Sequence, residues 1–216
     1  SAGNNFLGEE NTIPVTVDEL IPLARAVVRG SQRALVVADL PFGSYEASPE
    51  LALATSIRFF KESGVMAVKL EGAHLETVKK LVASGIPVMG HLGLTPQSMH
   101  QLGGYRVQGR TDGDAIVEAA LALEAAGAFA IVLELVPAEL AARITAALSI
   151  PTVGIGAGVN CDAQVLVWTD LMGITKKAPK LAKAYRNLRA EMLAATSEFA
   201  DDVRTGNFPT EAQTFN

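Results

Sequence analysis

Ionisable side chains stand near the ends of four successive apolar runs. Asp39 lies in ALVVADLPF (residues 34–42), Lys69 and Glu71 in AVKLEG (67–72), His91 in IPVMGHLG (86–93) and Glu134 in FAIVLELV (129–136). The next run, PTVGIGAG (151–158), ends on glycines. An ionisable group embedded in an apolar strand is costly unless it is paired or bound to a metal. Four runs in a row bearing that cost are hard to explain by packing, and their convergence points to an enzyme. Asp39 and Glu71 are hard oxygen donors of the kind that hold Mg²⁺ through one or two carboxylates, completed by water and substrate oxygens. Lys69 precedes Glu71 by two residues, so both side chains share one side of a strand, where an ammonium can hold an anionic substrate group. Glu134 is a lone carboxylate among apolar neighbours; desolvation raises its pKa, the condition for a general base near neutral pH.

Each reading has a structural rival. Asp39 and Glu71 could form ion pairs with Lys69, His91 could be a neutral core histidine, and Glu134 could pair with Arg143. The GIGAG run at 154–158 suggests a backbone nest for anions, yet glycine at such a turn also serves tight turning or close helix contact. His74 and His100 read as surface residues, Cys161 as inert and Trp168 as core.

The elements that must position these groups alternate. The five runs above and a sixth, VLVWTDLMG (165–173), are mostly continuously apolar, the mark of strands buried on both faces in a parallel sheet. Between them lie helix signals. Thr16 and Glu19 form a capping box opening a helix that Gly30 closes. Ser48-Pro49 and Thr95-Pro96 each offer an N-cap residue followed by proline at the first helical position. Amphipathic helices are expected over 114–126 and 137–148, and a longer terminal helix over about 178–203. Six strand–helix units mean α/β, either a (βα)₈ TIM-type barrel or an open doubly wound sheet, with the active site at the carboxyl ends of the strands.

Composition narrows the function classes. With 216 residues and no linker or low-complexity tract, 1–216 reads as a single domain. Hydrophobic residues at 49% against 19% charged exclude a disordered chain, and a net charge of −5 argues against a binder of nucleic-acid backbones. One cysteine rules out an internal disulfide framework, and no apolar run reaches membrane-spanning length. The expectation is a cytoplasmic globular domain with no membrane or nucleic-acid partner.

At these residues the chain resembles the ketopantoate hydroxymethyltransferase (3-methyl-2-oxobutanoate hydroxymethyltransferase) family. The matching segments include IPVTVDEL (13–20), ALVVADLPFGSYEASPE (34–50), AVKLEG (67–72), GIPVMGHLGLTPQS (85–98), LGGYRVQGR (102–110), ALEAAGAFAIVLELVPAEL (122–140), LSIPTVGIGAG (148–158) and QVLVWTDLMGI (164–174), in the family's order. The resemblance implies a (βα)₈ barrel that transfers a hydroxymethyl group from 5,10-methylenetetrahydrofolate to 3-methyl-2-oxobutanoate, with Mg²⁺ on the keto acid. By the same resemblance Asp39 and Glu71 match metal ligands, Ser1, Asp39, Lys69 and His91 match substrate contacts, and Glu134 matches the general base. It further implies homo-oligomers, decamers built from pentamers.

The family pattern also places a third metal-binding aspartate directly before the position of Ser1, together with an N-terminal first strand–helix unit and second strand. Six strands where eight are expected, and a start without Met, lead to the expectation of roughly 40–60 preceding residues. Smaller departures are Ala73 in KLEGA, a short stretch from Glu71 to Leu81, Asp162-Ala163-Gln164, and AQTF near the end. Two other functions compete. One is an enzyme like phosphoenolpyruvate mutase or isocitrate lyase, which would need a reactive cysteine loop or a phosphate-binding set; the other is a non-catalytic truncated barrel.

Overall fold

A computed structural model describes residues 1–215. They form two compact units, Ser1–Val165 and 166–215.

The first unit is a parallel sheet with its crossover helices. After a single π-helical turn, Gly3–Leu7, come α1 (Val17–Gly30), β1 (Val37–Asp39), α2 (Pro49–Ser63), β2 (Ala67–Lys69), α3 (Leu75–Ala83) and β3 (Val88–Gly93). A 3₁₀ turn, Pro96–Ser98, leads into the short α4 (Met99–Leu102), followed by α5 (Gly113–Ala125), β4 (Ala130–Glu134), α6 (Ala138–Ala147), β5 (Thr152–Ile155) and β6 (Ala163–Gln164). The helix starts obey their local chemistry. Thr16 and Glu19 complete the capping box of α1, and the Ser48 hydroxyl accepts from Leu51 N–H ahead of Pro49 in α2.

All six strands are parallel and pair in chain order, β1 to β6. Each main helix packs against the next, α1 on α2, α2 on α3, α3 on α5 and α5 on α6. A doubly wound sheet reverses its strand order at a switch point, and no reversal occurs here. The winding is that of a (βα) barrel. Burial on both strand faces is realised most fully in β4, where Ala130 to Leu133 are all buried. Val68, Leu70, Val88, Ile131 and Leu133 from the sheet meet Phe59, Val78, Leu81, Leu123 and Ile144 from the helices in one core.

Two expectations are corrected. The sixth strand is Ala163–Gln164, two residues that pair with Val153 and Gly154, rather than 165–173. Val165 adds one more bond to the Gly154 carbonyl, after which the chain turns into α7 (Trp168–Leu171) of the second unit. Short apolar runs suit either strand or helix by pattern alone, and VLVW falls in that ambiguity. Trp168 is 45% exposed rather than core.

The second unit carries α7 and α8 (Leu188–Thr205). The terminal helix therefore begins ten residues later than expected. The backbone N–H groups of Tyr185 and of Leu188 and Arg189, the first residues of α8, donate to the carbonyls of Leu171, Met172 and Gly173, which ties the start of α8 to the end of α7 and the turn after it. Asn187 then caps α8 by accepting from Ala190 N–H, and Gly206, in the left-handed region, closes it. No helix among the described residues is long and apolar enough to cross a membrane.

Candidate active site

The consecutive strand order sets the polar strand ends side by side. Asp39 is the last residue of β1 and lies in register with Lys69, the last of β2; Gly93 of β3 lies in register with Glu134, the last of β4. His91 stands two residues before Gly93, and Glu71 two residues after Lys69. The result is a chain of contacts across four strands. Lys69 Nζ is 2.8 Å from Asp39 Oδ1 and 3.1 Å from His91 Nδ1. His91 Nε2 is 3.2 Å from Glu134 Oε2, and its Nδ1 is 3.9 Å from Glu71 Oε1. Glu134 does not pair with Arg143, which lies 2.6 Å from Asp114 instead.

Burial controls the charge states. Glu134 is pushed up to about 7 by desolvation, against the attraction of Lys69. Glu71 is likewise pushed up to about 7, first by burial, with Lys69 opposing and Asp39 reinforcing. His91 is held well below the usual imidazole range, first by burial and then by the Lys69 ammonium, so the ring is neutral. An ammonium can only donate, so Nδ1 accepts from Lys69 and the ring proton sits on Nε2, facing Glu134. That approach is off the hydrogen-bonding line and leaves the buried Nε2 unsatisfied. Asp39 Oδ1 is also buried without a hydrogen bond, its contact with Lys69 being an ion pair in poor hydrogen-bonding geometry. Unspent polar atoms beside a base-competent carboxylate belong to a site that receives something.

Ser1 joins the cluster. Its residue surface is exposed overall, but its nitrogen is largely desolvated and feels the charges of Asp39, Lys69, Glu71 and Glu134. All six sequence-derived site residues therefore come to one end of the sheet. Sequence reasoning assigned no role to Tyr45, Gln97 or Tyr105. Tyr45 and Gln97 are buried against Glu71. The exposed Tyr105, in the Gly103-Gly104 loop, is raised by partial burial and then by the charges of Glu134 and Glu71, which puts it within reach of the site. Gln97 and Tyr105 lie in the GHLGLTPQS and LGGYRVQGR segments that carried the resemblance, and that was their only signal.

The glycine run serves packing. A Cβ on Gly154 would meet Cys161 Sγ at 2.9 Å, and one on Gly158 would meet Ala138 Cβ at 2.5 Å. Cys161 is buried there and unpaired. His100 is exposed as expected, whereas His74 is half-buried with its ring edge-on to Tyr45. An open cavity of about 660 Å³ lies at the starts of α5 and α6, lined among others by Arg110, Asp114, Glu139 and Arg143. None of the cluster residues lines it.

Gly93 is specific to this site. Its φ is +91° and a Cβ there would collide with the Glu134 carbonyl, whose strand end it must pass. We expect Gly93→Ala to lower the unfolding free energy by at least about 2 kcal/mol, read from the urea midpoint. An unchanged midpoint would show that the strand ends have room to part.

Fold and site together define an α/β enzyme built on barrel-type winding, with a buried cluster of acidic and basic groups at its strand ends. Solved structures with this fold include phosphoenolpyruvate phosphomutase from Streptomyces platensis (TM-score 0.56, 16% identity, 93% of this chain and 72% of that one). A second is 2,3-dimethylmalate lyase, a member of the PEP mutase/isocitrate lyase superfamily (TM-score 0.55, 15% identity, 99% and 76%). At the sequence level the ketopantoate hydroxymethyltransferase profile matches residues 1–211. Proteins named 3-methyl-2-oxobutanoate hydroxymethyltransferase match at 60% identity from Frankia alni (97% of this chain, 71% of the relative) and 59% from Saccharopolyspora erythraea (100% and 75%). The chain belongs to the ketopantoate hydroxymethyltransferase family.

Proposed function

We propose that the protein transfers a hydroxymethyl group from 5,10-methylenetetrahydrofolate to 3-methyl-2-oxobutanoate, giving 2-dehydropantoate and tetrahydrofolate in pantothenate synthesis. The observation that carries this reading is the contact chain Asp39–Lys69–His91–Glu134 across four strand ends, terminating in a carboxylate whose pKa burial has brought to about 7. The family relationship selects the substrate; the site supplies groups of the right type.

The donor set fits Mg²⁺. Among the described residues no three His, Cys, Asp or Glu side chains come together as a metal cage. Asp39 and Glu71 are two hard carboxylates, and Asp39 Oδ1 is buried without a hydrogen bond. One or two carboxylates, with water and substrate oxygens, are what Mg²⁺ takes. Asp39 and Glu71 would hold it, and when bound it supplies Lewis-acid polarisation of the keto acid's carbonyl. A solved relative of the fold, phosphonopyruvate hydrolase, carries oxalate and Mg²⁺ in its structure.

The chain's own groups do the rest. Lys69, with Ser1 beside it, binds the substrate carboxylate by charge and hydrogen bonding. Glu134 removes the proton from C3 of the keto acid. The carbon so activated bonds to the methylene carbon, which is released from both folate nitrogens and takes hydroxyl from water, while the proton taken from C3 and the remaining water proton end on those two nitrogens. His91 Nε2–H, neutral, unsatisfied and 3.2 Å from Glu134 Oε2, is placed to donate to that carboxylate once it ionises.

The same reading assigns the observed winding to a domain of the (βα)₈ TIM-type barrel class and includes assembly into homo-oligomers such as decamers, to be checked by sedimentation. The direct test is formation of 2-dehydropantoate from the keto acid and 5,10-methylenetetrahydrofolate, with and without EDTA. Turnover that stops with EDTA and returns with Mg²⁺ is expected. Absence of product with both substrates and metal present would overturn the reading in favour of a non-catalytic chain.

A further inference from the structure

Glu71 spends one oxygen away from the cluster. Its Oε2 accepts from the backbone N–H of Gln97 at 2.9 Å, while Oε1 makes no hydrogen bond among the described residues. That bond explains a local departure from the sequence. Thr95 stands where an N-cap residue should, ahead of Pro96, yet its hydroxyl caps nothing. A capping side chain accepts from the second or third N–H of the helix, and the Gln97 N–H at that position already points to Glu71. The carboxylate of the site caps the turn in Thr95's place.

The Gln97 side chain then reaches the neighbouring strand end. Its Nε2 donates to the carbonyl of Leu40 at 2.8 Å, one residue beyond Asp39, and its Oε1 accepts from Tyr45 O–H at 2.6 Å. The Tyr45 oxygen lies 3.3 Å from the Glu71 N–H, which donates to it. So one buried glutamine is tied by two bonds to the ends of the two strands carrying Asp39 and Glu71 and by a third to a buried tyrosine, which closes the loop on the backbone of Glu71 itself. The His74 ring, edge-on to Tyr45 at 5.5 Å, holds the phenol from the other side.

We infer that Tyr45 and Gln97 are positioning residues: a buried clamp that fixes the spacing of the Asp39 and Glu71 carboxylates and leaves Glu71 Oε1 free to face a divalent cation. The inference rests on the reading of Asp39 and Glu71 as the metal-holding pair. A polar network sealed in the core, with every side-chain group of Gln97 used in some bond, is rigid because breaking any bond strands a buried polar atom. Rigidity matters here because Mg²⁺ demands near-ideal octahedral geometry, and two carboxylates on separate strands meet that demand only if their separation is set. Among the described residues no other side-chain bond ties Leu40 to Glu71; the backbone bond from Leu40 N–H goes to Lys69.

The test measures Mn²⁺ binding to the full chain without substrates, from the loss of the free-ion electron paramagnetic resonance signal. Tyr45→Phe removes one hydroxyl at constant shape, and Gln97→Met keeps volume while deleting both side-chain bonds. Glu71→Gln is the reference for the metal reading. Expected are wild-type binding, loss of binding in Glu71→Gln, and affinity about 10–100-fold weaker in each clamp variant. The double variant should be no worse than the weaker single one, because the two act through a shared bond. Should Gln97→Met fail to fold, as judged by near-ultraviolet circular dichroism, Tyr45→Phe carries the test alone. Clamp variants that melt earlier yet bind Mn²⁺ as wild type would overturn the clamp and leave the metal reading standing. Equal binding by wild type and Glu71→Gln, or no binding by wild type, would overturn the metal reading itself and the clamp with it.

Discussion

Glu134→Gln is expected to slow exchange of the C3 proton of 3-methyl-2-oxobutanoate into solvent by about 10²–10⁴, the usual worth of a positioned acid–base group. Exchange followed by proton NMR isolates this step from folate chemistry, so the result does not depend on the second substrate. Gln keeps the shape of the side chain and its contact with His91 but cannot accept a proton. In the wild-type protein the exchange rate should climb as pH rises through about 7, where burial has placed the Glu134 pKa, and level off above it. The variant should lose that dependence. A linked effect on stability has a definite sign. The folded pKa lies above the ordinary carboxylate value, so the contribution of Glu134 to stability is fully present below about 4.5 and is lost as pH rises through about 7. Above pH 7, without metal or substrate, Glu134→Gln should therefore be the more stable protein, by at most ~3 kcal/mol, and the two should converge near pH 4. Near-normal exchange in the variant would remove Glu134 from the chemistry, whatever the stability shows.

Much of this site was legible because parallel-sheet strands are apolar on both faces. Against IVLELV a single glutamate is conspicuous, as is the lysine in AVKLEG, and their types alone suggested a base and an anion holder. Consecutive winding then brought Asp39, Lys69, His91 and Glu134 together without any further specification by the side chains. What stayed hidden has physical causes. Tyr45 and Gln97 lie on the turns after β1 and β3, and their bonds to Glu71 span 26 residues, a separation that no local pattern encodes. The choice between Asp114 and Glu134 as the partner of Arg143 was equally non-local, since it depends on how α5 and α6 pack. The last strand misled because VLVW is apolar enough to be core in either conformation; the pairing in fact ends at Gln164, and Trp168 turns outward. The terminal helix misled for a different reason. Within its expected first turns Tyr185 N–H goes to the Leu171 carbonyl at the end of α7, a tertiary choice that overrides the helical propensity of KLAKAYR.

Asp39→Ala and Glu71→Ala separate a metal site from a structural ion-pair network, and the two readings predict opposite patterns. If the Lys69–Asp39 contact is structural, its loss should appear mainly as lost stability, with keto-acid binding indifferent to metal. Only the Lys69 end is well buried: its side chain is 16% exposed against 41% for Asp39, so solvent screens the pair and its removal should cost little. Deleting one carboxylate would, however, remove half of the protein's grip on Mg²⁺, because among the described residues no third His, Cys, Asp or Glu gathers with Asp39 and Glu71. We expect each variant to fold, with a urea midpoint close to that of the wild type for Asp39→Ala and a lower one for Glu71→Ala, which strands the buried Gln97 N–H. Calorimetric titration of 3-methyl-2-oxobutanoate in saturating Mg²⁺ should show affinity for the double variant falling by about 10² or more, to the level of wild type in EDTA. Lys69→Met supplies the contrast. It removes the cation proposed to bind the substrate carboxylate but leaves both carboxylates proposed to hold the metal, so keto-acid affinity should drop while a dependence on Mg²⁺ survives. Binding by wild type that is equally tight in EDTA would assign Asp39 and Glu71 to the balance of the Lys69 charge, and the chemistry of the site would rest on Lys69, His91 and Glu134 alone.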